Sequence, residues 1–396
     1  MIPMKIAQVI STPPFAWATG GCARVAFDLS KALVDRGHDV TILTTDLYEP
    51  GQRYPQCHRI ECIDGIKIIR FENISDNLAW NHKLYISPKL IMYLKNHSRD
   101  YDLIHLQDLL SLHALVTSYY CAMYNIPYIL TTHGSLPWLH KQRLFNKIGR
   151  RLFNNLVLKN ASKILVLNRT EARLCKDLGV HHIEIVPNGV SHCILNVESK
   201  NINFREKYLI NKLDKIVLYI GRIHKTKGID LLIMSLSRLV KKLGNIKLVI
   251  IGPDDGHKPK LESLINSLKL ENKIIFTGFV SDEEKIGALM EADVFVTPSF
   301  SGFPIAFLEA CSCGVPIITT NRGDQLEWIN KYAGFVVNYD DRELCEAILI
   351  LLTDEKLNTQ IRNNCRKLAN ETFSWDGISK KIERMYEEVI QLQQGG

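Results

Sequence analysis

Arg222, Lys225 and Lys227 crowd into the short run Gly221-Arg222-Ile223-His224-Lys225-Thr226-Lys227-Gly228. Three cations between glycines suit an anion, and charge-assisted contacts to phosphate are strong. Arg222 and Lys227 can reach the same anion from such a turn; a solvated loop is the plainer alternative. A second stretch, residues 294–320, reads strand, loop, short helix, turn, strand. Ser301 precedes Gly302, which allows close backbone approach, and Pro304 suits the first turn of a helix. The helix expected over 305–313 is apolar except for Glu309, and Gly314 closes it. Its N-terminus, near Phe303, Pro304, Ile305 and Ala306, is a ready anion site. Glu309, a carboxylate on an apolar helix, needs a partner. A ligand carrying phosphate and hydroxyls meets both demands, as a nucleotide's diphosphate and ribose diol would. The competing view is an ordinary strand–helix–strand core unit with Glu309 paired to a local Arg.

Three further groups fall at the ends of expected strands. His133-Gly134 follows a strand at 128–131, where the ring can donate to a sugar hydroxyl or simply serve the core. Gly20-Gly21 follows the first strand, and paired glycines let backbone amides approach a phosphate or sugar. His105 and Asp108 end the strand at 103–106 and are candidates for an acceptor pocket. Asp254 lies in Gly252-Pro253-Asp254-Asp255-Gly256, which reads equally as a turn made of turn formers.

These groups need a scaffold that brings strand ends together. Short β-rich runs alternate with amphipathic helical segments in both halves, the pattern of open parallel sheets. The expected organisation is α/β, with two Rossmann-like parallel-sheet domains facing a cleft. The first domain spans 1–190, a polar and weakly patterned linker 191–214, and the second domain 215–375. A last helix, 376–396, is expected to pack back toward the first domain. The length of 396 residues favours two domains over one core.

Composition sets the outer bounds. Hydrophobic residues make up 46% and charged residues 23%, which suits a globular soluble chain. A net charge of +7 is mild for this length and does not point to nucleic acid; none is expected as a partner. The N-terminus lacks a signal-peptide pattern and reads as strand 1. No apolar run approaches a membrane span. The ten cysteines are scattered, and Cys311-Ser312-Cys313 stands without a second pair, so no metal site is expected. Residues 139–159 carry six cations and no acid beside an apolar face. That suits either a membrane surface or an outer helix with a basic rim. The expected location is the cytoplasm, with peripheral attachment to the inner membrane face through 139–159 as the open question.

The motifs together resemble the retaining glycosyltransferases of the GT-B fold, family 4. Gly302-Phe303, Leu308-Glu309-Ala310 and Cys313-Gly314-Val315-Pro316 match that family's signature, while Ser301 stands where its first acid belongs. The resemblance implies that Arg222 and Lys227 clamp the donor diphosphate, that Glu309 holds the ribose, and that the Gly21 loop lies against the diphosphate. It places His133 near the donor sugar and Asp254 beside the nucleotide. It implies a nucleotide-diphosphate sugar as substrate, no cofactor or metal, and a glycan or polyprenyl-lipid-linked acceptor. A nucleotide-sugar 2-epimerase and a non-catalytic sugar-nucleotide binding protein are the rival readings.

Overall fold

A computed structural model describes residues 3–16, 21–49, 51–56, 59–137, 153–190, 203–324 and 326–394. The chain forms two compact units, one of Met1–Gly189 with Trp375–Gly396, the other of Val190–Ser374.

The strands of the first unit are β1 (Lys5–Val9), β2 (Asp39–Thr45), β3 (Leu47–Glu49), β4 (Gln52–Arg53), β5 (Ile60–Ile63), β6 (Ile66–Phe71), β7 (Leu103–Leu106), β8 (Tyr128–Thr131), β9 (Lys163–Val166) and β10 (Ile183–Ile185). Its helices are α1 (Gly21–Val34), α2 (Asp76–His82), α3 (Pro88–His97), α4 (Leu112–Tyr124) and α5 (Arg169–Asp177). Among the described residues its main sheet has eight strands, ordered β10-β9-β8-β7-β1-β2-β6-β5. All pairs are parallel except β5 with β6. β7 and β8 are buried along their length, as parallel strands covered on both faces are.

Local chemistry sets the helix ends. Ser87 accepts from the Leu90 amide with Pro88 next in line, Ser111 accepts from Ala114, and Asn168 accepts from Glu171. Each such cap stabilises by about 1 kcal/mol. The last helix of the chain, at Trp375–Gln394, belongs to this unit. Its Glu383 is buried and pairs with Arg36 and, at 2.8 Å, with His38 Nε2. A Cβ on Gly189 would lie 2.4 Å from the Trp375 ring, so glycine is required where the chain meets this helix.

The second unit adds α6 (Phe204–Lys207), β11 (Lys215–Ile220), α7 (Ile229–Leu239), β12 (Ile246–Ile251), α8 (Lys258–Leu268), β13 (Ile274–Gly278), α9 (Asp282–Glu291), β14 (Val294–Thr297), α10 (Ile305–Ser312), β15 (Ile317–Thr320), β16 (Gly334–Val337), α11 (Asp341–Thr353) and α12 (Glu355–Lys367); the helix at Trp375–Gln394 is α13. Its sheet runs β13-β12-β11-β14-β15-β16, entirely parallel. In sequence order this is 3-2-1-4-5-6, and β11 and β14 flank the point where the order reverses.

The expected linker is in part a folded segment. Its residues 203–214 belong to the second unit rather than to a connecting strap. Phe204 is fully buried there, and Lys207 and Tyr208 bind Glu284 of α9 at 2.7 and 2.6 Å. One buried aromatic fixes a polar stretch. The rest of that linker, 191–202, and residues 139–152 of the expected basic helix lie outside the described residues. The described cysteines, from Cys22 to Cys365, are all free.

Candidate active site

The basic turn sits at the switch point of the second sheet. After β11, Gly221 adopts φ 157° and its amide donates to Ile251 O at 2.9 Å. Beyond β12, a Cβ on Gly252 would lie 2.1 Å from Gly221 O, so the loops after β11 and β12 touch backbone to backbone. Ile223 N bonds Pro253 O at 2.9 Å and Asp255 N bonds Ile223 O at 3.1 Å, zipping them further. Arg222 is thereby presented outward, 61% exposed, with Nη1 2.8 Å from Asp255 Oδ2. Lys227 follows in a single 3₁₀ turn ended by Gly228 at φ 71°. Burial and the like charge of Arg222 hold its ammonium below the usual lysine value. Among the described residues no carboxylate pairs with it. Such a desolvated cation lacks an anion.

The loop after β14 is the neighbour of that turn, since a Cβ on Gly228 would lie 3.1 Å from the Pro298 side chain. Ser301 is exposed, and Gly302 turns with φ 71°. Its amide donates to Asp324 Oδ2, from the loop after β15. Phe303 is buried, its ring 5.9 Å from Trp328 and 5.6 Å from Phe373, so this side chain anchors the loop. Pro304, Ile305 and Ala306 are half-buried at the start of α10. Among the described residues no side chain caps that helix and no acid lies in its first turn. Its first amides keep the positive end of the dipole open. One turn on, Glu309 is 4% exposed and pairs with Lys285 Nζ at 2.7 Å. That lysine belongs to α9. Asp254 is also employed: its Oδ1 accepts from the amides of His257 and Lys258, both at 3.0 Å, and caps α8. Those amides, Lys258 first, hold its carboxyl below the usual range.

The first unit gathers its polar groups at the corresponding end of its own sheet, where β1 lies between β7 and β2. Gly21 is the first residue of α1. Ser11, just past β1, donates its amide to Asp108 Oδ2, and its hydroxyl lies 3.0 Å from His113 Nδ1. Burial raises the Asp108 carboxyl, with the Ser11 hydrogen bonds opposing it. His133 adopts φ 47°, an uncommon left-handed conformation for a non-glycine, and its Nε2 lies 2.7 Å from Gln107 Oε1. His105 corrects the expectation of an acceptor-side ligand. It is 0% exposed, with Nδ1 2.6 Å from Tyr386 OH and Nε2 2.8 Å from Thr131 Oγ1. A side chain at the middle of a buried strand has no route to a ligand.

Burial keeps three imidazoles of this unit neutral, pushing His105 down to about 3 and His113 and His133 to about 4. The ordinary value is 6.5, so between pH 6.5 and about 4 the unfolded chain binds the extra protons. Stability therefore falls as pH drops through that window. We expect the urea midpoint to decline from pH 6.5 to 4 as the unfolding free energy falls, by at most about 1.4 kcal/mol per pH unit for each ring. Half-buried His133 contributes least, and the raised Asp108 offsets part of the loss at the acid end. A midpoint flat across this window, followed by circular dichroism, would show the rings to be solvated.

The structure thus brings Arg222, Lys227, Gly302 and the start of α10 to one switch point, and Gly21, Asp108 and His133 to the other unit's strand ends. Sequence reasoning missed Asp324, Lys285 and Tyr386. Asp324 was discoverable as the acid one residue past Gly323, after a strand neighbouring the Ser301 strand. The other two lie on elements whose placement only the fold reveals.

Two family models match the chain: Glyco_transf_4, described as Glycosyltransferase Family 4, over residues 19–192, and Glycos_transf_1, described as Glycosyl transferases group 1, over residues 200–368. An uncharacterized glycosyltransferase of Methanocaldococcus jannaschii is 26% identical, over 98% of this chain and 99% of its own. The capsular polysaccharide biosynthesis glycosyltransferase CapM of Staphylococcus aureus is 34% identical over 49% of this chain and 52% of its own. Among solved structures, Anabaena HepE in complex with UDP and glucose superposes with a TM-score of 0.77 at 19% identity, covering 97% of this chain and all of that one. Among the described residues no helix is long and apolar enough to cross a membrane. With both halves of the chain matched and the two parallel-sheet units in place, the protein belongs to the GT-B-fold glycosyltransferases of group 1, family 4.

Proposed function

We propose that this glycosyltransferase moves a sugar from a nucleoside-diphosphate sugar to a glycan or lipid-linked acceptor, with retention of configuration. The observation that carries the reading is Lys227, a desolvated cation without a described counter-ion, at the switch point beside the open N-terminus of α10. The diphosphate gains charge as the anomeric bond breaks. Arg222, Lys227 and the α10 amides answer it electrostatically, commonly the largest catalytic contribution. The C1–O bond to phosphate breaks while the acceptor oxygen bonds C1 on the same face, and the acceptor proton passes to the departing phosphate oxygen. Glu309 holds the ribose. Ser301 is too short to accept firmly from the sugar hydroxyls, and Asp324, fixed on the Gly302 amide, supplies that carboxylate. His133 and Asp108 are the first unit's own candidates for sugar hydroxyls. UDP and glucose on the Anabaena neighbour support a uridine nucleotide donor, and CapM supports a role in surface polysaccharide synthesis. As acceptor we propose a lipid-linked glycan at the inner membrane face, on the strength of the six cations without an acid in residues 139–159.

Nucleotide release from UDP-, GDP-, ADP- and dTDP-sugars, with and without a polyprenyl-lipid extract, tests this. We expect release from one donor, dependent on the extract, lost in Arg222→Ala, weakened in Asp324→Ala and nearly unchanged in Ser301→Ala. Tight nucleotide binding with no release from any donor would leave a binding protein instead.

A further inference from the structure

Six side chains of the first unit form one buried line of hydrogen bonds that ends at His133. Gln8 on β1 lies opposite His105 on β7, and Gln107, two residues past His105, shares its side of the sheet. His133 Nε2 is 2.7 Å from Gln107 Oε1, and Gln107 Nε2 is 2.7 Å from Gln8 Oε1. Gln8 Nε2 is 3.5 Å from Tyr386 OH of α13, which lies 2.6 Å from His105 Nδ1. Gln107 Nε2 also approaches His105 Nδ1 at 3.3 Å, and Thr131 Oγ1 closes the line on His105 Nε2.

The inventory of donors and acceptors permits only two proton orders. Either both amides stand as described and His133 donates from Nε2, or both are reversed and Nε2 is a bare acceptor. Tyr386 has one proton with which to decide. In the first order it donates to an imidazole nitrogen at 2.6 Å and receives a weak bond from Gln8. In the reversed order that proton must serve the 3.5 Å contact with Gln8, at the outer limit of hydrogen bonding. His105 would then have to share one N–H between the phenol and Gln107. Phenol is the better acid and imidazole the better base, and burial keeps this phenol protonated. The first order wins. His133 Nδ1 is then unprotonated, and it has no partner among the described residues.

We propose that Tyr386 is a positioning residue: through Gln8 and Gln107 it fixes His133 as the Nε2–H tautomer, so that Nδ1 accepts from a sugar hydroxyl. The ring therefore accepts where the sequence suggested that it donates. Only the identity of that hydroxyl rests on the glycosyl-transfer reading.

Long-range ¹H–¹⁵N spectra of protein labelled in its imidazoles read the tautomer without substrate, with His133→Gln assigning the ring. Wild type should show a single Nε2–H form. Tyr386→Phe should show mixed tautomers, and Gln8→Met, which leaves Gln107 only its 3.3 Å contact with His105 Nδ1, should mix them less. In nucleotide release, kcat should fall about 3- to 10-fold in Tyr386→Phe, because only the competent fraction of rings works. A wild-type Nδ1–H form overturns the proposal. So does an unmixed tautomer in folded Tyr386→Phe, even where Tm drops, since that is what a merely structural tyrosine would give. The tautomer readings decide the matter even if no sugar donor is ever turned over.

Discussion

Lys227→Ala should lose about 100- to 1,000-fold in kcat/KM, the range for removing one fixed donor from a developing anion, yet melt no earlier than the parent. The two effects have one cause. Burial and the Arg222 charge depress the Lys227 pKa, so the unfolded chain holds that proton more firmly than the folded one. By linkage, a charged Lys227 then costs folding stability at neutral pH. Removing it takes away that cost, against some loss of packing by its alkyl stem. A diphosphate supplies the missing countercharge, so a nucleoside diphosphate should raise Tm in the parent and far less in the variant. Nucleotide release and thermal melts with and without the diphosphate check this. Activity retained together with a lower Tm would make Lys227 a scaffold residue. Arg222 is a different case: it is exposed and, among the described residues, its ion pair is with Asp255, a surface pair that adds little to stability. Its replacement should leave Tm unchanged.

The parallel strands were legible because they are continuous apolar runs between turn formers. Leu103–Leu106 and Tyr128–Thr131 fall where the sequence placed them, and other strand ends shift by a residue or two. The edge was not legible. Ile60–Ile63 alternates between exposed and half-buried positions, and its antiparallel pairing with β6 has no signal as strong as an apolar run. The helix Asp282–Glu291 opens with three acids behind a Ser281 cap, and a charged first turn hid its buried face. For the site, the sequence named residues on contiguous motifs, Arg222, Lys227, Gly302 and Glu309, and the fold sets the loops of the first three side by side. Residues that act across the fold went unnamed. Asp324 reaches Gly302 from 22 positions away, and Tyr386 reaches His105 from 281 away. His105 misled for the same reason, since its place at a strand end suggested a ligand while the fold covers it with α13.

Glu309 is where stability and chemistry must be separated. Lys285 Nζ bridges Glu309 at 2.7 Å and Asp282 at 2.8 Å, with Lys285 only 16% exposed. Deleting one member of a buried pair strands the other charge, and Glu309→Ala should cost about 3 kcal/mol, the low end for such pairs because Asp282 remains. The same variant should lose turnover, but a destabilised protein loses turnover for trivial reasons. The double variant Lys285→Met/Glu309→Leu removes both charges at once and fills the space with apolar groups. Buried ion pairs replaced in this way commonly recover stability. We therefore expect its Tm to return toward the parent while nucleotide release stays lost, because no carboxylate remains to accept from the ribose hydroxyls. Turnover that returned with stability would reduce Glu309 to the partner of Lys285. Turnover that stays absent from a well-folded double variant assigns the carboxylate to the nucleotide, and Lys285 then serves to hold it aimed until the nucleotide arrives.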